Sequence, residues 1–200
     1  MKKAVIYVHG KGGNAEESEF YRNLCNGYGV FGLDYVSDTP WDAKTEFPPL
    51  FEEICKDYND VTLIANSIGA FFSMNALADE KKISKALFIS PIVNMEKLIC
   101  DMMTWANVTE EQLKSKGEIP TDFGETLSWK YLCYVRQNPL LWNIPTKILY
   151  GEKDNLTSLD TVTEFARSHN APLTVMKDGE HWFHTKEQLE FLADWIKSSI

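Results

Sequence analysis

The fold of this 200-residue chain is decided by a short stretch in which an apolar strand runs into a helix: Val61-Thr62-Leu63-Ile64-Ala65-Asn66-Ser67-Ile68-Gly69. Residues 61–65 predict a buried strand, and residues 68–79 predict a helix. Ser67 stands between them, with small residues two positions before and after it, as in a sharp strand-to-helix turn. Such a turn holds a hydroxyl at the tip of a sheet, beside the amide of Ile68. The alternative is that Ser67 only caps the helix.

Strand and helix patterns alternate along most of the chain. Further helices are predicted over residues 15–26, 47–58, 159–168 and 187–197. The predicted strands are Ala4–Val8, Val30–Leu33, Val61–Ala65, Ala86–Ile89, Thr146–Tyr150 and Leu173–Met176. Most of them are continuously apolar, as expected of strands covered on both faces. We therefore predict an α/β fold with a mostly parallel six-stranded sheet, helices on both faces, and functional residues beyond the carboxyl ends of the strands.

Residues 94–143 interrupt this alternation, because they separate two strands by more chain than one crossover requires. One apolar helix face is formed by Met95, Leu98, Ile99, Met102 and Met103. A capping box begins at Thr109, and residues 129–137 predict another helix. We predict a single domain over residues 1–200, with residues 94–143 as a helical cap insertion over the strand ends. Its methionines and aromatic residues suit an apolar pocket for an acyl group, or else pack as the insertion's own core.

A serine hydroxyl is a weak nucleophile until a base takes its proton. The chain has four histidines, and His181 follows the last predicted strand directly. His184 comes just before Thr185, which begins a capping box for the final helix, so we expect it at the surface. His169 ends a helical pattern, where a cation suits the helix dipole, and we expect it to be structural. His181 is therefore the predicted base.

The base needs a third group that orients it, and Asp154 is the predicted acid. It follows the predicted strand 146–150 directly, and the chain between it and His181 has room for one helix and one strand. Glu152 and Asp160 are rival acids, and an aspartate after a strand is often only a turn residue. The chain order Ser67, Asp154, His181, with each residue after its own strand, favours Asp154.

Four landmarks in this order make the chain similar to the α/β-hydrolase superfamily. They are the loop Tyr7-Val8-His9-Gly10-Lys11-Gly12-Gly13, the turn Ala65-Asn66-Ser67-Ile68-Gly69, the acid loop Gly151-Glu152-Lys153-Asp154 and the histidine loop Gly179-Glu180-His181. The usual turn is G-x-S-x-G, so Ala65 is a small departure. The chain opens on the strand before His9, which implies a compact six-stranded version without the family's first two strands. The insertion stands where the family usually carries its cap.

The resemblance implies a role for each of these residues. Ser67 attacks an acyl carbonyl, His181 moves the proton, and Asp154 orients the imidazole. The amides of Ile68 and Lys11 form the oxyanion hole, while His9 braces that loop. No metal or organic cofactor is required. The Lys11 side chain attracts an anionic substrate or, as the simpler interpretation, is solvated.

The implied function is a serine hydrolase that cleaves a small to medium acyl ester, with a small-molecule acyl substrate. A thioesterase, an amidase or a small peptidase uses the same three residues with another leaving group. A non-catalytic hydrolase-like binding protein is the alternative from a different class, and such proteins usually lack one of the three. A flavodoxin-like nucleotide binder shares the strand–helix alternation but leaves the Ser–Asp–His order unexplained. A haloalkane dehalogenase is disfavoured because its nucleophile is an aspartate.

Composition limits the partners and the compartment. Twenty Lys and Arg against twenty-nine Asp and Glu give a formal charge of −9, which disfavours nucleic acids and anionic membranes as partners. No apolar run approaches the ~20 residues of a membrane span, and we expect no signal peptide at the start. The four cysteines are widely spread, as in reduced thiols. We expect a cytoplasmic protein that is a monomer or a homodimer.

Overall fold

The computed structural model describes residues 2–200, which form eight strands and eight α-helices. The strands are β1 Lys3–Val8, β2 Gly29–Gly32, β3 Asp60–Asn66, β4 Ile83–Ile89, β5 Glu118–Pro120, β6 Thr126–Ser128, β7 Thr146–Gly151 and β8 Leu173–Met176. The helices are α1 Glu19–Arg22, α2 Pro40–Cys55, α3 Ile68–Ala76, α4 Met95–Trp105, α5 Glu110–Lys116, α6 Trp129–Gln137, α7 Leu159–Ser168 and α8 Lys186–Lys197. A short 3-10 helix, Ala15–Ser18, precedes α1.

Six strands form one sheet in the order β2-β1-β3-β4-β7-β8, and every pair of neighbours is parallel. The carboxyl ends of all six strands therefore meet at one edge of the sheet, which is where ligands bind in such folds. The predicted six-stranded α/β sheet is confirmed, with each predicted strand within three residues of its observed bounds.

The two faces of the sheet are covered by different helices. On one face, alternate strand residues such as Val5 and Ile64 pack in one cluster with Tyr21, which lies in α1, and Trp195, which lies in α8. Helices α2 and α3 contact each other, and their Phe47 and Phe72 rings meet with centroids 6.3 Å apart. Successive strand residues point to opposite faces, so continuously apolar strands are buried on both sides.

Helix α2 begins at Pro40, seven residues before the predicted start at residue 47. Thr39 caps it by accepting a hydrogen bond from Asp42 N, and Pro40 suits the first helical position because its missing N–H has no partner there. Two internal prolines, Pro48 and Pro49, explain why the predicted helix begins late, since proline is usually tolerated only in the first turn of a helix. Both prolines are exposed. The predicted helix over residues 15–26 is likewise shorter, since only the 3-10 helix and α1 form there.

Residues Asn94–Leu140 form a second compact unit, distinct from the unit that contains the sheet. It comprises α4, α5 and α6, together with the antiparallel hairpin of β5 and β6, which the sequence did not predict. The predicted capping box at Thr109 is present, and Gly117 ends α5 with a φ of 78°. The unit ends three residues before the predicted boundary at residue 143.

Arg136 joins the three helices of this second unit. It extends from α6, where its Nε donates to Glu96 of α4 at 2.7 Å and its two terminal nitrogens donate to Glu110 of α5 at 2.7 and 2.9 Å. Bidentate guanidinium–carboxylate pairs have a fixed planar geometry, so this residue specifies how the helices meet.

None of the helices described between residues 2 and 200 has the length and the apolar composition that crossing a membrane requires.

Replacing Phe51 with alanine should lower the free energy of unfolding by about 3–5 kcal/mol, because its fully buried ring in α2 would leave a cavity. Phe191→Ala is the matched control, since that ring on α8 is 37% exposed and its loss should cost much less. Urea unfolding followed by circular dichroism measures both. Equal losses of unfolding free energy in the two variants would contradict the burial of α2 in the core.

Candidate active site

Ser67 lies at the junction of β3 and α3 in a left-handed backbone conformation, with φ 51° and ψ −119°. A side chain is rarely found there, and the surroundings must hold it. The Ser67 N–H donates to Ile89 O at 3.0 Å, and Ser67 O accepts from Ile92 N at 3.1 Å. Its side chain makes no helix-capping hydrogen bond, so the alternative in which Ser67 only caps α3 is wrong.

The small residues around Ser67 permit this sharp turn. A Cβ on Gly69 would lie 2.3 Å from His9 O and 2.8 Å from Val8 O, so only glycine lets α3 approach the end of β1 so closely. Ala65 is fully buried and pairs in register with Val8 on one side and Phe88 on the other. A methyl group therefore fits where the usual pattern has its first glycine.

Two neighbouring loops, after β7 and after β8, are locked together. Lys153 N donates to Gly179 O at 2.7 Å, and Glu152 N donates to Met176 O at 3.0 Å. A Cβ on Gly151 would lie 2.4 Å from Glu180 O, so this contact also requires glycine. The loop that carries Asp154 is thereby fixed against the loop that carries His181.

His181 contacts Ser67 and Asp154 at the same time. Its Nδ1 lies 2.6 Å from Asp154 Oδ2, and its Nε2 lies 2.8 Å from Ser67 Oγ. A carboxylate only accepts hydrogen bonds, so Nδ1–H donates to Asp154 and Nε2 is left to accept from the hydroxyl of Ser67. This arrangement can remove the proton from Ser67 and return it.

The carboxylate of Asp154 is fully buried, whereas the side chain of His181 is 16% exposed. The other carboxylate oxygen, Oδ1, accepts from the N–H groups of Leu156 at 2.8 Å and Thr157 at 3.2 Å. A buried charge is costly without such partners. These bonds therefore hold a charged group in place beneath the imidazole.

The loop after β1 brings backbone amides to Ser67. A Cβ on Gly10 would be 3.2 Å from Ser67 Cβ, and the loop closes as a turn in which Gly13 N donates to Gly10 O at 3.1 Å. Lys11 lies within this turn. Ile68 is the first residue of α3, so its N–H has no carbonyl partner within the helix. Amides of these two residues are the predicted oxyanion donors.

His9 is placed beside this loop rather than against Ser67. Its ring stacks on Tyr35 with centroids 4.1 Å apart, its Nδ1 lies 2.8 Å from Gly10 O, and its carbonyl accepts from the Tyr35 hydroxyl at 2.7 Å. These contacts fix the start of the loop, as the role that the resemblance implies for His9 would require.

A pocket of about 350 Å³ opens at Ser67. Its size is near the lower end of the ~300–1,000 Å³ typical of small-molecule sites. It is lined by Gly10, Lys11, Gly12, Gly13, Glu17, Asn66, Ser67, Leu156, His181 and Trp182. Leu156 and Trp182, which are 37% and 69% exposed, add large apolar side chains to a lining that otherwise consists of glycines and polar residues.

The chain shares its fold with many solved structures. Est1E from Butyrivibrio proteoclasticus has a TM-score of 0.75 at 16% identity, covering 99% of this chain and 86% of that one. Alpha/beta hydrolase domain-containing protein 10 from mouse has a TM-score of 0.74 at 16% identity, covering 98% and 88%. A monoacylglycerol lipase from Paleococcus ferrophilus has a TM-score of 0.64 at 15% identity, covering 98% and 94%.

The chain has the α/β-hydrolase fold. This confirms the resemblance drawn from the four landmarks. No protein-family model matches the sequence. No curated protein matches it either.

The rival residues have other contacts in the structure. The side chain of His184 is 42% exposed, and its Nδ1 lies 3.3 Å from Glu180. Glu152 accepts a hydrogen bond from the amide of Asp178, and Asp160 lies in the first turn of α7. His169 follows α7 and stacks on Phe165, with ring centroids 4.0 Å apart. Among residues 2–200, none of these side chains is hydrogen-bonded to Ser67 or to His181.

Glu17 and Trp182 line the pocket, although sequence analysis did not identify them. A glutamate in a polar turn has no distinguishing pattern. Tyr7 does offer a signal, because a tyrosine in a buried strand needs a partner for its hydroxyl, and here the partner is Glu17. Trp142, one of the aromatic residues of the predicted insertion, does not line this pocket and is buried against Phe88.

Among residues 2–200, no group of three or more His, Cys, Asp or Glu side chains is arranged to hold a metal ion.

Replacing Gly151 with alanine should separate the acid loop from the histidine loop, because the new methyl would meet the carbonyls of Gly179 and Glu180 at 2.6 and 2.4 Å. The hydrogen bond between Asp154 and His181 should then lengthen. The proton resonance of His181 Nδ1–H, observed downfield by NMR, should weaken or disappear.

Gly27→Ala is the control for this substitution. Its Cβ would meet nothing within 4 Å, although its φ of 85° makes the variant somewhat strained. The resonance should persist in that variant. An unchanged resonance in Gly151→Ala would show that the contact between the loops does not position the imidazole.

Proposed function

We propose that the chain is a serine hydrolase that cleaves a small to medium acyl ester through an acyl-enzyme intermediate. The observation that carries this proposal is the continuous pair of hydrogen bonds from Ser67 through His181 to Asp154. The same α/β-hydrolase fold occurs in proteins described as an esterase, a lipase and a thioesterase domain. Fold alone does not assign chemistry, so the site is the main support.

In the proposed mechanism, Ser67 Oγ attacks the acyl carbonyl carbon while its proton passes to His181 Nε2. Asp154 stabilises the imidazolium that forms. As the tetrahedral intermediate collapses, His181 gives that proton to the leaving alcohol and the acyl group remains on Ser67. Water then attacks the acyl-enzyme, with His181 again taking the proton and returning it to Ser67 as the acid is released.

The negative oxygen of the tetrahedral intermediate would be bound by the amides of Ile68 and Lys11. Each such donor is typically worth ~10²–10³ in rate, because it is aimed at charge that develops only during the reaction. Gly10 supports this assignment, since its contact with Ser67 brings the loop that contains Lys11 to the reacting atoms.

Two observations favour Ser67 over other nucleophiles. Cys25 and Cys55 are buried, and burial raises the pKa of each thiol to about 11, which suppresses the reactive thiolate. Ser90 is also buried in a left-handed conformation after β4, but its hydroxyl has no hydrogen-bond partner within residues 2–200 and therefore no base.

A thioesterase, amidase or small peptidase remains the alternative within the same mechanism, because the three residues do not specify the leaving group. A non-catalytic binding protein is less well supported, since all three residues are present and in contact. The pocket of about 350 Å³ supports a small-molecule acyl substrate. The cytoplasmic location, the lack of nucleic-acid and membrane partners, and a monomeric or homodimeric state remain proposals.

A fluorophosphonate probe should add one adduct per chain, because the hydroxyl of Ser67 contacts an imidazole that is also bonded to a buried carboxylate. The hydroxyl of Ser168 also lies 2.9 Å from an imidazole, that of His169, but it does not line the pocket. Intact-mass measurement and peptide mapping locate the adduct. Ser67→Ala should abolish labelling, whereas Ser90→Ala, which removes another buried serine near the same strand ends, should retain it. An adduct on a different serine would refute the assignment of the nucleophile.

His181→Ala should lower kcat/KM for p-nitrophenyl esters by several orders of magnitude, because Ser67 would lose its base. His184→Ala should change it little, since that imidazole is exposed and bonded elsewhere. Steady-state kinetics on both variants make the comparison. The reverse outcome would mean that His184 is the base.

A further inference from the structure

Glu17 is a carboxylate in the active-site pocket that the proposed mechanism does not use. It extends from the 3-10 helix Ala15–Ser18 and lines the same pocket as Ser67. Its Oε2 accepts a hydrogen bond from the Tyr7 hydroxyl at 2.5 Å. A carboxylate anchored in this way presents its remaining lone pairs in a fixed direction, as a binding group does.

The direction of that hydrogen bond follows from burial. Tyr7 lies in β1 and is only 2% exposed, and burial is the main cause that raises its pKa above the ordinary value. The phenol therefore keeps its proton and donates, and Glu17 accepts. The other carboxylate oxygen, Oε1, lies against Gly13, where a Cβ would be only 2.7 Å away. Because Gly13 has no side chain, the carboxylate of Glu17 can occupy this space.

Asn66 adds a second acceptor to the same pocket. It precedes Ser67 directly, and it is one of the lining residues. Its Oδ1 is buried, and within residues 2–200 it has no hydrogen-bond partner. A buried acceptor without a donor is costly, so a donor from a bound molecule would be favourable. Glu17 thus presents an acceptor to the pocket that contains Ser67, and the buried Oδ1 of Asn66 would add a second one once that side chain rotates toward a bound donor.

One tight turn connects the residue that lies against Ser67 with the residue that lies against Glu17. Gly10 lies against Ser67, Gly13 lies against Glu17, and the two glycines are joined by one turn through the bond from Gly13 N to Gly10 O. Because Ser67 and Glu17 line the same pocket, a compound with a donor group on a short chain from its carbonyl is the kind of molecule that could contact both. The volume of about 350 Å³ fits a substrate of that size.

We propose that Glu17 and Asn66 bind an ammonium group on the acyl part of the substrate, so that the enzyme prefers esters of small amino acids. This inference rests on the proposed hydrolase function. An ammonium group offers three N–H donors and a positive charge, and charge-assisted hydrogen bonds to a carboxylate are about twice as strong as neutral ones. The formal charge of −9 would also attract a cationic substrate. Lys11 lines the pocket too, but it already interacts with another residue.

The test compares two p-nitrophenyl esters, β-alaninate and butyrate, whose acyl chains have the same number of non-hydrogen atoms. The enzyme should have a roughly tenfold or greater kcat/KM for the β-alaninate, after subtraction of the enzyme-free rate. Glu17→Gln keeps the shape of the side chain and an acceptor for Tyr7 but removes the charge. In that variant the ratio of the two kcat/KM values should fall about tenfold.

Glu16→Gln is the matched control, since it makes the same change of charge one residue earlier; both glutamates are exposed, but Glu16 does not line the pocket. Its ratio should equal that of the unchanged protein. Because both esters are measured with the same variant, a general loss of activity cancels in the ratio of the two kcat/KM values.

Fluorophosphonate labelling of Ser67 separates the two proposals. If the probe fails to label Ser67, the hydrolase function is refuted. If Ser67 is labelled but the β-alaninate is not preferred, or neither ester is turned over, the hydrolase proposal survives and ammonium recognition is refuted. Equal ratios in Glu17→Gln and Glu16→Gln, or a preference for the half ester of succinate, would also overturn recognition by Glu17.

Discussion

The chemistry available to this site depends on one imidazole that makes two hydrogen bonds at once. His181 Nδ1 is held by a carboxylate at 2.6 Å, and this leaves Nε2 as an acceptor for the hydroxyl of Ser67 at 2.8 Å. Asp154 can perform this role only because two backbone amides also bind its buried carboxylate. Without those amides, the buried charge would be expensive, and the tautomer of the imidazole would not be fixed.

The order of the strands explains how distant segments meet. Strands β1 and β3 are neighbours, so the loop with Lys11 lies beside the turn with Ser67. Strands β7 and β8 are also neighbours, so the loops with Asp154 and His181 are hydrogen-bonded to each other. Because all six strands are parallel, these four loops leave the sheet at the same edge. The parallel sheet thereby brings four segments that are far apart in the sequence together in one site.

Much of this arrangement was predictable from local patterns. Continuous apolar runs predicted the strands, because a strand buried on both faces needs apolar side chains in succession. Ser67, Asp154 and His181 were identified because each follows such a run. The predicted helix α2 is too short because Pro48 and Pro49 are typical of a helix boundary. The buried face of the helix nevertheless extends on both sides of these prolines, with Phe47 before them and Phe51 after them. Here tertiary packing outweighs local preference.

The sequence by itself determined the α/β class, the strand positions and the candidate residues, because patterns only a few residues long indicate each of them. Only the tertiary structure decided which histidine contacts Ser67 and which acid contacts that histidine, since this depends on strand order and on close approaches at Gly69 and Gly151. It alone also placed Glu17 in the pocket. A glutamate in a polar turn looks like any solvated residue until the fold brings Tyr7 and Gly13 against it.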